Sequence, residues 1–478
     1  PHIDRLARRG MKFTHAHVQV GNCMPGRNVM WSGRYSHNNR VEGFYQVHNV
    51  DYPVLLDLMR EAGYFTAIRG KVNHSAPNHG YQWDAVLGPQ AHNKDALSYG
   101  ASTAEGISAA RRAEKPFCLM INISDPHKPF FAQDNRSGES IADPHQPSRV
   151  FTPEEIAVPG FLFDDPVVRK ELAHYYSSVR RADDCVGQVL SALRDSGQED
   201  KTLVLFLSDH GMALPFAKTQ LYHHSTHTPL IVDWPGVTEA GAVDQEHMVS
   251  AVDLLPTLLD IVEAKHPDGL DGRSFEPILR GESQQDRAGI IKEYNENAGG
   301  SRDPMRAVQT KRFLYIFNPW SNGRRVMATA TTGTPTYRRM RELAETDPKI
   351  AARHDLYQHR VVEELYNVQE DPDCLNNLID DPTHADEAER LRGDLLEWME
   401  ETDDHMLAVF RQRKDPQVRE AYVREKQKEA DVRRDNRRRG GNRRTRDDLV
   451  SIEPPTSLVP GEELTVRIRH TLPEEFGQ

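Results

Sequence analysis

The chain has 478 residues, a formal net charge of −12 and a hydrophobic fraction of 37%, enough for one large core or two unequal ones and too long for a miniature held by staples. The modest negative charge argues against nucleic acid as the main partner. The four cysteines, Cys23, Cys118, Cys185 and Cys374, have no paired CxxC spacing that would signal a disulfide framework or zinc ribbon, and no apolar run approaches the roughly 20 residues of a membrane helix.

In chain order, "HIDRLARRG" reads as a helix already in progress, with neither an initiator Met nor a charged-then-apolar leader before it; residues upstream are expected to have been lost. "GNCMPGRNVMWSGRY", Gly21 to Tyr35, sets a cysteine two residues before a proline and four before an arginine. Cys23 is there either as a small apolar residue or as the precursor of something more reactive. "DYPVLLDLMREAGYFTAI" predicts a helix, a stop at Gly63 and a strand. "KPFCLMINISD" and "KTLVLFLSDHG" are short, nearly continuous apolar runs, expected as parallel strands buried on both faces. "EHMVSAVDLLPTLLDIVEA" is again helical, with Pro256 close behind Asp253.

This alternation predicts an α/β part over 1–290. From 291 to 410 the pattern changes to an alternating strand, "AVQTKRFLYIFNPW", then "EELYNVQEDPDCLNNLIDD" and the amphipathic helix "ADEAERLRGDLLEWMEETDDH", a smaller α+β subdomain. Residues 411–450 are dominated by charge and are expected as an exposed helix passing into a disordered linker. Its basic run from Arg433 to Arg446 is a solvated helix end or a polyanion-binding patch. Residues 451–478 regain a β pattern and start a possible further β domain.

Ligands of open α/β sheets gather beyond the carboxyl ends of the strands. Three sequences fall there: Asp125-Pro126-His127-Lys128-Pro129, Asp209-His210-Gly211 and Lys71-Val72-Asn73-His74, with Lys218 following in "LPFAKTQLYHHSTHTPL". Singly, each has a plain explanation as a capping carboxylate, a solvent-facing lysine or a structural histidine. Together, several cations and a hard-metal ligand on one rim suit a tetrahedral oxyanion such as sulfate or phosphate.

"CMPGR" followed by "SGR" resembles the type I sulfatase signature, in which the cysteine is oxidised to formylglycine by a separate maturation enzyme. "PHIDRLARRGMKFTHAHV", "LLDLMREAGYFTAIRGKVNH", "SDHG", "AKTQLYHHSTHTPLIVDWPG", "VDLLPTLLDI", "DGRSF" and "EELYNVQEDPDCLNNL" are similar to further family landmarks in the same order, over roughly residues 1 to 400. "GFYQVH", "DPHK" and "GMALPFAKTQLY" lean toward its heparan N-sulfatase (sulfamidase) branch. The resemblance implies an alkaline-phosphatase-like fold: a large mixed, mainly parallel sheet between helices, with the smaller C-terminal subdomain.

By the same resemblance, Cys23 is the residue converted to formylglycine, with Pro25 and Arg27 completing the core that the maturation enzyme reads. Asp209 and His210, with the converted Cys23, would hold a divalent cation, Ca²⁺ or Mg²⁺. Arg27 would steady the aldehyde hydrate, Lys71 and Lys218 would neutralise the sulfuryl oxygens, His127 would protonate the leaving group and His74 would assist the second hydroxyl. His74 stands three residues after Lys71 where many members have two. Lys71, His127, Lys218 and His48 are the substrate-binding candidates; Tyr45, His79, His223 and His227 are either sugar contacts or packing.

One departure bears on the metal. Members carry two adjacent aspartates at the end of their first strand; here Asp183-Asp184 falls in a helical stretch and Asp164-Asp165 in a loop. The sequence is therefore expected to be a fragment of an enzyme, with the first strand missing, that binds the cation weakly and need not be active by itself. The implied function is hydrolysis of sulfate esters or sulfamates of a sulfated carbohydrate such as a glycosaminoglycan, by a periplasmic or secreted enzyme. A phosphomonoester or phosphonate hydrolase of the same superfamily and a non-catalytic sulfated-glycan-binding protein are the alternatives.

Overall fold

A computed structural model describes residues 1–88, 94–134, 136–285, 287–444, 450–452 and 468–470. They divide into two units, Pro1–Val423 and Arg424–Gln478. The second holds the latter part of the helix Pro416–Arg444 and an antiparallel pair, Val450–Ile452 with Ile468–His470. Residues 445–449 of the helix and linker expected over 411–450, and most of the predicted β segment at 451–478, lie outside the described residues.

The first unit has its α/β part in three pieces. Phe65–Arg69 runs parallel to both Ala85–Val86 and Phe117–Ile121. Val204–Leu207, Leu230–Asp233, Met11–Phe13 and Val243–Asp244 follow one another in a mixed sheet, and Ala16–His17 pairs in parallel with Val249–Ser250. Helices flank these strands, the longest being Pro166–Asp195. Its start is legible in sequence: the Asp165 side chain accepts from Val167 N at 2.8 Å, and Pro166 stands where a missing N–H costs nothing. Asp183 and Asp184 lie inside this helix.

Two predicted strands differ in their surroundings from the reading of their sequence. Phe117–Ile121 and Val204–Leu207 were expected to be covered on both faces, yet every residue in them is half-buried. Among the described residues each has one strand neighbour, Phe65–Arg69 and Leu230–Asp233 respectively, so one edge of each is unpaired and its side chains keep contact with solvent. Val204–Leu207 also meets its neighbour antiparallel, where a parallel partner was expected. Cys118, Met120, Leu205 and Leu207 nonetheless pack on one core with Met30, Trp31, Leu55 and Leu255.

"EHMVSAVDLLPTLLDIVEA" forms a helix only over Leu254–Ile261. Val249–Ser250 is drawn into the strand pair, and Ala251–Asp253 makes one tight turn, its Val252 N–H donating to Gln19 Oε1 at 3.0 Å and Asp253 accepting from Ser250 N at 3.1 Å. "AVQTKRFLYIFNPW", expected as one strand, is a hairpin of Arg302–Thr310 and Phe313–Phe317. The turn at Lys311-Arg312 is closed by Thr310 Oγ1, which accepts from Phe313 N at 2.9 Å.

With Gly289–Glu296 and Glu363–Asn367 this hairpin builds a four-stranded antiparallel sheet. One core joins its Tyr315, Phe317 and Tyr366 to Leu391, Leu395 and Met399 of the helix Ala385–Glu401 and to Val20, Phe216 and Tyr222 of the α/β part. Burial on both sides explains why Phe313–Phe317 is apolar at almost every position, with no polar alternation. No helix among the described residues is long and apolar enough to cross a membrane.

Candidate active site

Cys23 opens the helix Cys23–Ser32. Asn22, in extended backbone, caps it by accepting from Cys23 N at 3.1 Å, and Gly33 ends it in the left-handed region at φ 62°. Pro25 falls in the first turn, where its absent N–H would have had no intrahelical partner. Arg27 lies one turn beyond Cys23 on the same face. The spacing Cys-x-Pro-x-Arg therefore does two jobs: it starts a helix on the cysteine and aims the arginine along the same rim.

The thiol is 5% exposed, and its Sγ lies 3.2 Å from His210 Nε2. Burial pushes the Cys23 thiol up, but the attraction of His210 and Lys218 outweighs burial and the repulsion of Asp209 and holds it at about 6. His210 Nδ1 donates to the Gly211 carbonyl at 2.8 Å, which turns Nε2 toward the sulfur. Glycine is required at 211 by close approach: a Cβ there would stand 2.0 Å from the His224 carbonyl oxygen and 2.6 Å from that of Ala217.

Asp209 and His210 follow the strand Val204–Leu207, as the rule for strand carboxyl ends predicts. Arg27 grips Asp209 Oδ2 through Nε at 3.0 Å and a terminal nitrogen at 2.9 Å, and its other terminal nitrogen donates to Asn122 Oδ1. Burial raises the Asp209 carboxyl, yet His210, Arg27, Lys218 and Lys71 together hold it well below the usual carboxylate range. One carboxylate thus gathers cations that the sequence scatters from Arg27 to Lys218. Lys218 is 7% exposed, on a loop whose Phe216 and Thr219 have positive φ and which is pinned by Thr219 N donating to the Gly21 carbonyl at 2.8 Å. Lys71, at φ 54°, precedes a short turn, Val72–His74.

The other candidates stand around this cluster in different ways. The His74 carbonyl accepts from Asn28 of the Cys23 helix at 3.1 Å, and its ring meets Phe44 edge-on at 5.6 Å. His127 Nδ1 donates to the Lys128 carbonyl at 2.7 Å. The His127 loop is anchored by Asp125, which pairs with Arg181 at 2.5 Å and Lys94 at 2.8 Å, while Lys94 also donates to the His127 carbonyl at 3.0 Å. His48 and His79 are exposed, and Tyr45 donates to the Arg40 carbonyl at 3.2 Å. His223 and His227 stack at 4.7 Å and both meet the buried His17, so their rings serve internal packing.

Asn122 was missed in the sequence. It bridges Arg27 and, through Nδ2, the carbonyls of Arg69 and Gly70 at 3.2 and 3.0 Å, so it ties the Cys23 helix to the Lys71 turn. Its signal was its position directly after "FCLMI", the place already singled out for Asp125. Arg181, deep in a long helix, gave no local signal.

Donor atoms of Cys23, Asp209 and His210 all lie within 4.8 Å of one another. A hard cation takes about six to eight oxygen ligands, and of these three residues only Asp209 brings a carboxylate. The set fits such an ion on one side once the sulfur has been replaced by oxygen. As a thiol, the same set is softer and mixed.

A family model described as Sulfatase matches residues 1–264, and one described as N-sulphoglucosamine sulphohydrolase, C-terminal, matches 209–321. The chain is 30% identical over 438 residues to human N-sulphoglucosamine sulphohydrolase, covering 84% of this chain and 86% of that protein. It is 27% identical over 408 residues to an ulvan-active sulfatase of Formosa agariphila, covering 84% and 74%. Among solved structures, a protein in complex with its substrate D-glucosamine-2-N,6-O-disulfate aligns with a TM-score of 0.61 at 18% identity, over 85% of this chain and 93% of that one. The phosphonate monoester hydrolase of Agrobacterium radiobacter also aligns at 0.61 and 18%, over 84% and 91%. The fold is alkaline-phosphatase-like α/β.

Proposed function

The chain belongs to the sulfatase family of sulfuric ester hydrolases, and on that premise we propose that it desulfates a saccharide, cleaving sulfate esters or the sulfamate of an N-sulfoglucosamine unit. The observation that carries this reading is the placement of Cys23 at a helix N-terminus, against His210 and within the field of Lys218 and Asp209. The modification proposed at Cys23 supplies an aldehyde hydrate, whose two hydroxyls allow attack on sulfur and later release of the sulfate.

The chain's own residues supply the rest. Lys71 and Lys218, both acting on Asp209, balance the negative charge of the sulfuryl oxygens, which grows in importance as water is excluded. Arg27 holds Asp209 at a fixed angle. His127, its Nδ1–H committed to the Lys128 carbonyl, presents Nε2, which as imidazolium would give its proton to the departing oxygen or nitrogen and return to neutral imidazole. His74 assists the residue at position 23 from the neighbouring turn, and His48 would meet the saccharide beyond the rim. Asp209 and His210 would hold the family's divalent cation, Ca²⁺ or Mg²⁺, whose charge would polarise a sulfate oxygen. With a single carboxylate among them, binding is expected at millimolar Ca²⁺ or weaker, the loose end of about 10⁻⁴–10⁻³ M.

The working division is a catalytic part over 1–290, an α+β part over 291–410, a charged segment over 411–450 and a β segment over 451–478. A periplasmic or secreted location and reliance on a formylglycine-generating enzyme are parts of the same proposal. The test is sulfate release by the chain co-produced with that enzyme, at saturating Ca²⁺, from N-sulfated and O-sulfated glucosamine and from matched aryl sulfate, phosphate and phosphonate. Faster release from the sulfated saccharides supports the reading. Faster turnover of the phosphate or phosphonate favours the second reading, a phosphoryl hydrolase, for which the Agrobacterium radiobacter fold likeness speaks.

A further inference from the structure

We infer that before conversion, with Cys23 still a thiol, the Cys23–Asp209–His210 cluster is a binding site for a borderline divalent cation, Zn²⁺ or Co²⁺, in preference to Ca²⁺. This inference concerns the unconverted chain and stands apart from the sulfatase reading, which concerns the converted one.

The donor set is one sulfur, one imidazole nitrogen and one carboxylate oxygen, all within 4.8 Å. Thiolate and imidazole select zinc-like ions, whereas Ca²⁺ calls for oxygens. The edges also fit. With metal–sulfur near 2.3 Å and metal–nitrogen or –oxygen near 2.1 Å, a tetrahedral site has a sulfur–nitrogen edge of about 3.6 Å and a nitrogen–oxygen edge of about 3.4 Å. Here Cys23 Sγ to His210 Nε2 is 3.2 Å and His210 Nε2 to Asp209 Oδ1 is 3.7 Å. A few tenths of an ångström of side-chain adjustment would bring these two edges to the tetrahedral values, and the third, between Cys23 and Asp209, is within 4.8 Å.

The outer partners are already in place. His210 Nδ1–H donates to the Gly211 carbonyl at 2.8 Å, which leaves Nε2 with the lone pair that a metal needs. Arg27 occupies Asp209 Oδ2 and leaves Oδ1 on the side of His210. Thiolate and carboxylate together cancel the charge of the ion, and the coordinated thiol gives up its proton to solvent on binding. Three protein ligands leave the fourth position to water, the pattern of open zinc sites.

The chain is produced without the maturation enzyme, an intact mass confirms the thiol at position 23, and Co²⁺ is titrated in while near-ultraviolet absorbance is recorded. The expected result is a thiolate-to-cobalt charge-transfer band that one equivalent of Zn²⁺ removes and a large excess of Ca²⁺ leaves in place. Cys23→Ser, which keeps the volume, should lose the band, and His210→Ala should weaken Co²⁺ by more than the roughly 10–100-fold that loss of an outer partner costs. Absence of the band in the wild-type chain, its survival in Cys23→Ser, or its removal by Ca²⁺ overturns the inference. Each of these outcomes is read without turnover, so failure here is distinguishable from failure of the sulfatase assay.

Discussion

Arg27→Ala removes a side chain that grips Asp209 by two hydrogen bonds, at 2.9 and 3.0 Å, and reaches Asn122 as well. The two side chains are only 11% and 18% exposed. Unit charges 4 Å apart attract by about 4 kcal/mol at an effective dielectric near 20, and partial exposure reduces this to roughly 3 kcal/mol. For the 423-residue unit, an unfolding entropy of about 2.1 cal/mol/K per residue converts that to a melting temperature lower by about 3 °C. Because Asp209 is held well below the ordinary carboxylate value, it stays ionised throughout neutral pH, and the loss should be the same at pH 6 and pH 8. Arg27→Lys keeps the charge but neither the fork nor the reach to Asn122, and should lose about half as much. Scanning calorimetry of the three proteins measures this. A shift below about 0.5 °C for Arg27→Ala, or equal losses for both variants, would refute the reasoning that the arginine fork is a principal hold on Asp209, alongside the charge of His210.

Other predictions rest on other parts of the fold. His17, 2% exposed, is held well below 6.5 by burial first and then by Lys292, His227, His223 and His15. Its stabilisation is therefore complete above pH 6.5 and lost as pH falls, by about 1.4 kcal/mol between pH 7.5 and 5.5; His223, lowered in the same way, adds to it. Melting temperatures across that range should fall, and His17→Phe should flatten the fall; an unchanged slope would count against the histidine cluster as the acid-labile part. Lys218→Ala in the converted enzyme should lower kcat on a sulfated saccharide by about 10²–10³, as loss of one charge-stabilising donor does, and a change below tenfold would remove Lys218 from its assigned role. Gly211→Ala should unfold or misplace the His210 loop, because its Cβ would stand 2.0 Å from the His224 carbonyl oxygen. Wild-type stability of that variant, read by urea denaturation, would show that the contact relaxes at no cost.

Much of the site was legible because its chemistry is tied to local pattern. Cys23, Asp209 and Lys71 each follow or begin an element whose boundary the sequence marks: Asn22 before the helix, "LVLFLS" before Asp209, "YFTAIRG" before Lys71. Apolar period and capping residues are short-range properties, so the α/β class and the strand-end positions of these groups were determined by the chain alone. The same short range explains the errors. Thr310 to Phe313 holds a tight turn inside a run that reads as one strand, and Val249–Ser250 reads as part of a helix start until Ala16–His17 claims it as a strand.

Tertiary structure alone decided what meets what. The pairing of Arg27 with Asp209 spans 182 positions and that of Cys23 with His210 spans 187, and no local propensity encodes a partner so distant. Asn122 and Arg181 matter through such partners, which is why neither stood out. His223 and His227 read equally as sugar contacts or packing until folding set them against His17. The half-exposure of Phe117–Ile121 and Val204–Leu207 likewise follows from which edges are paired, a property of the assembled sheet that hydrophobicity along one strand does not contain.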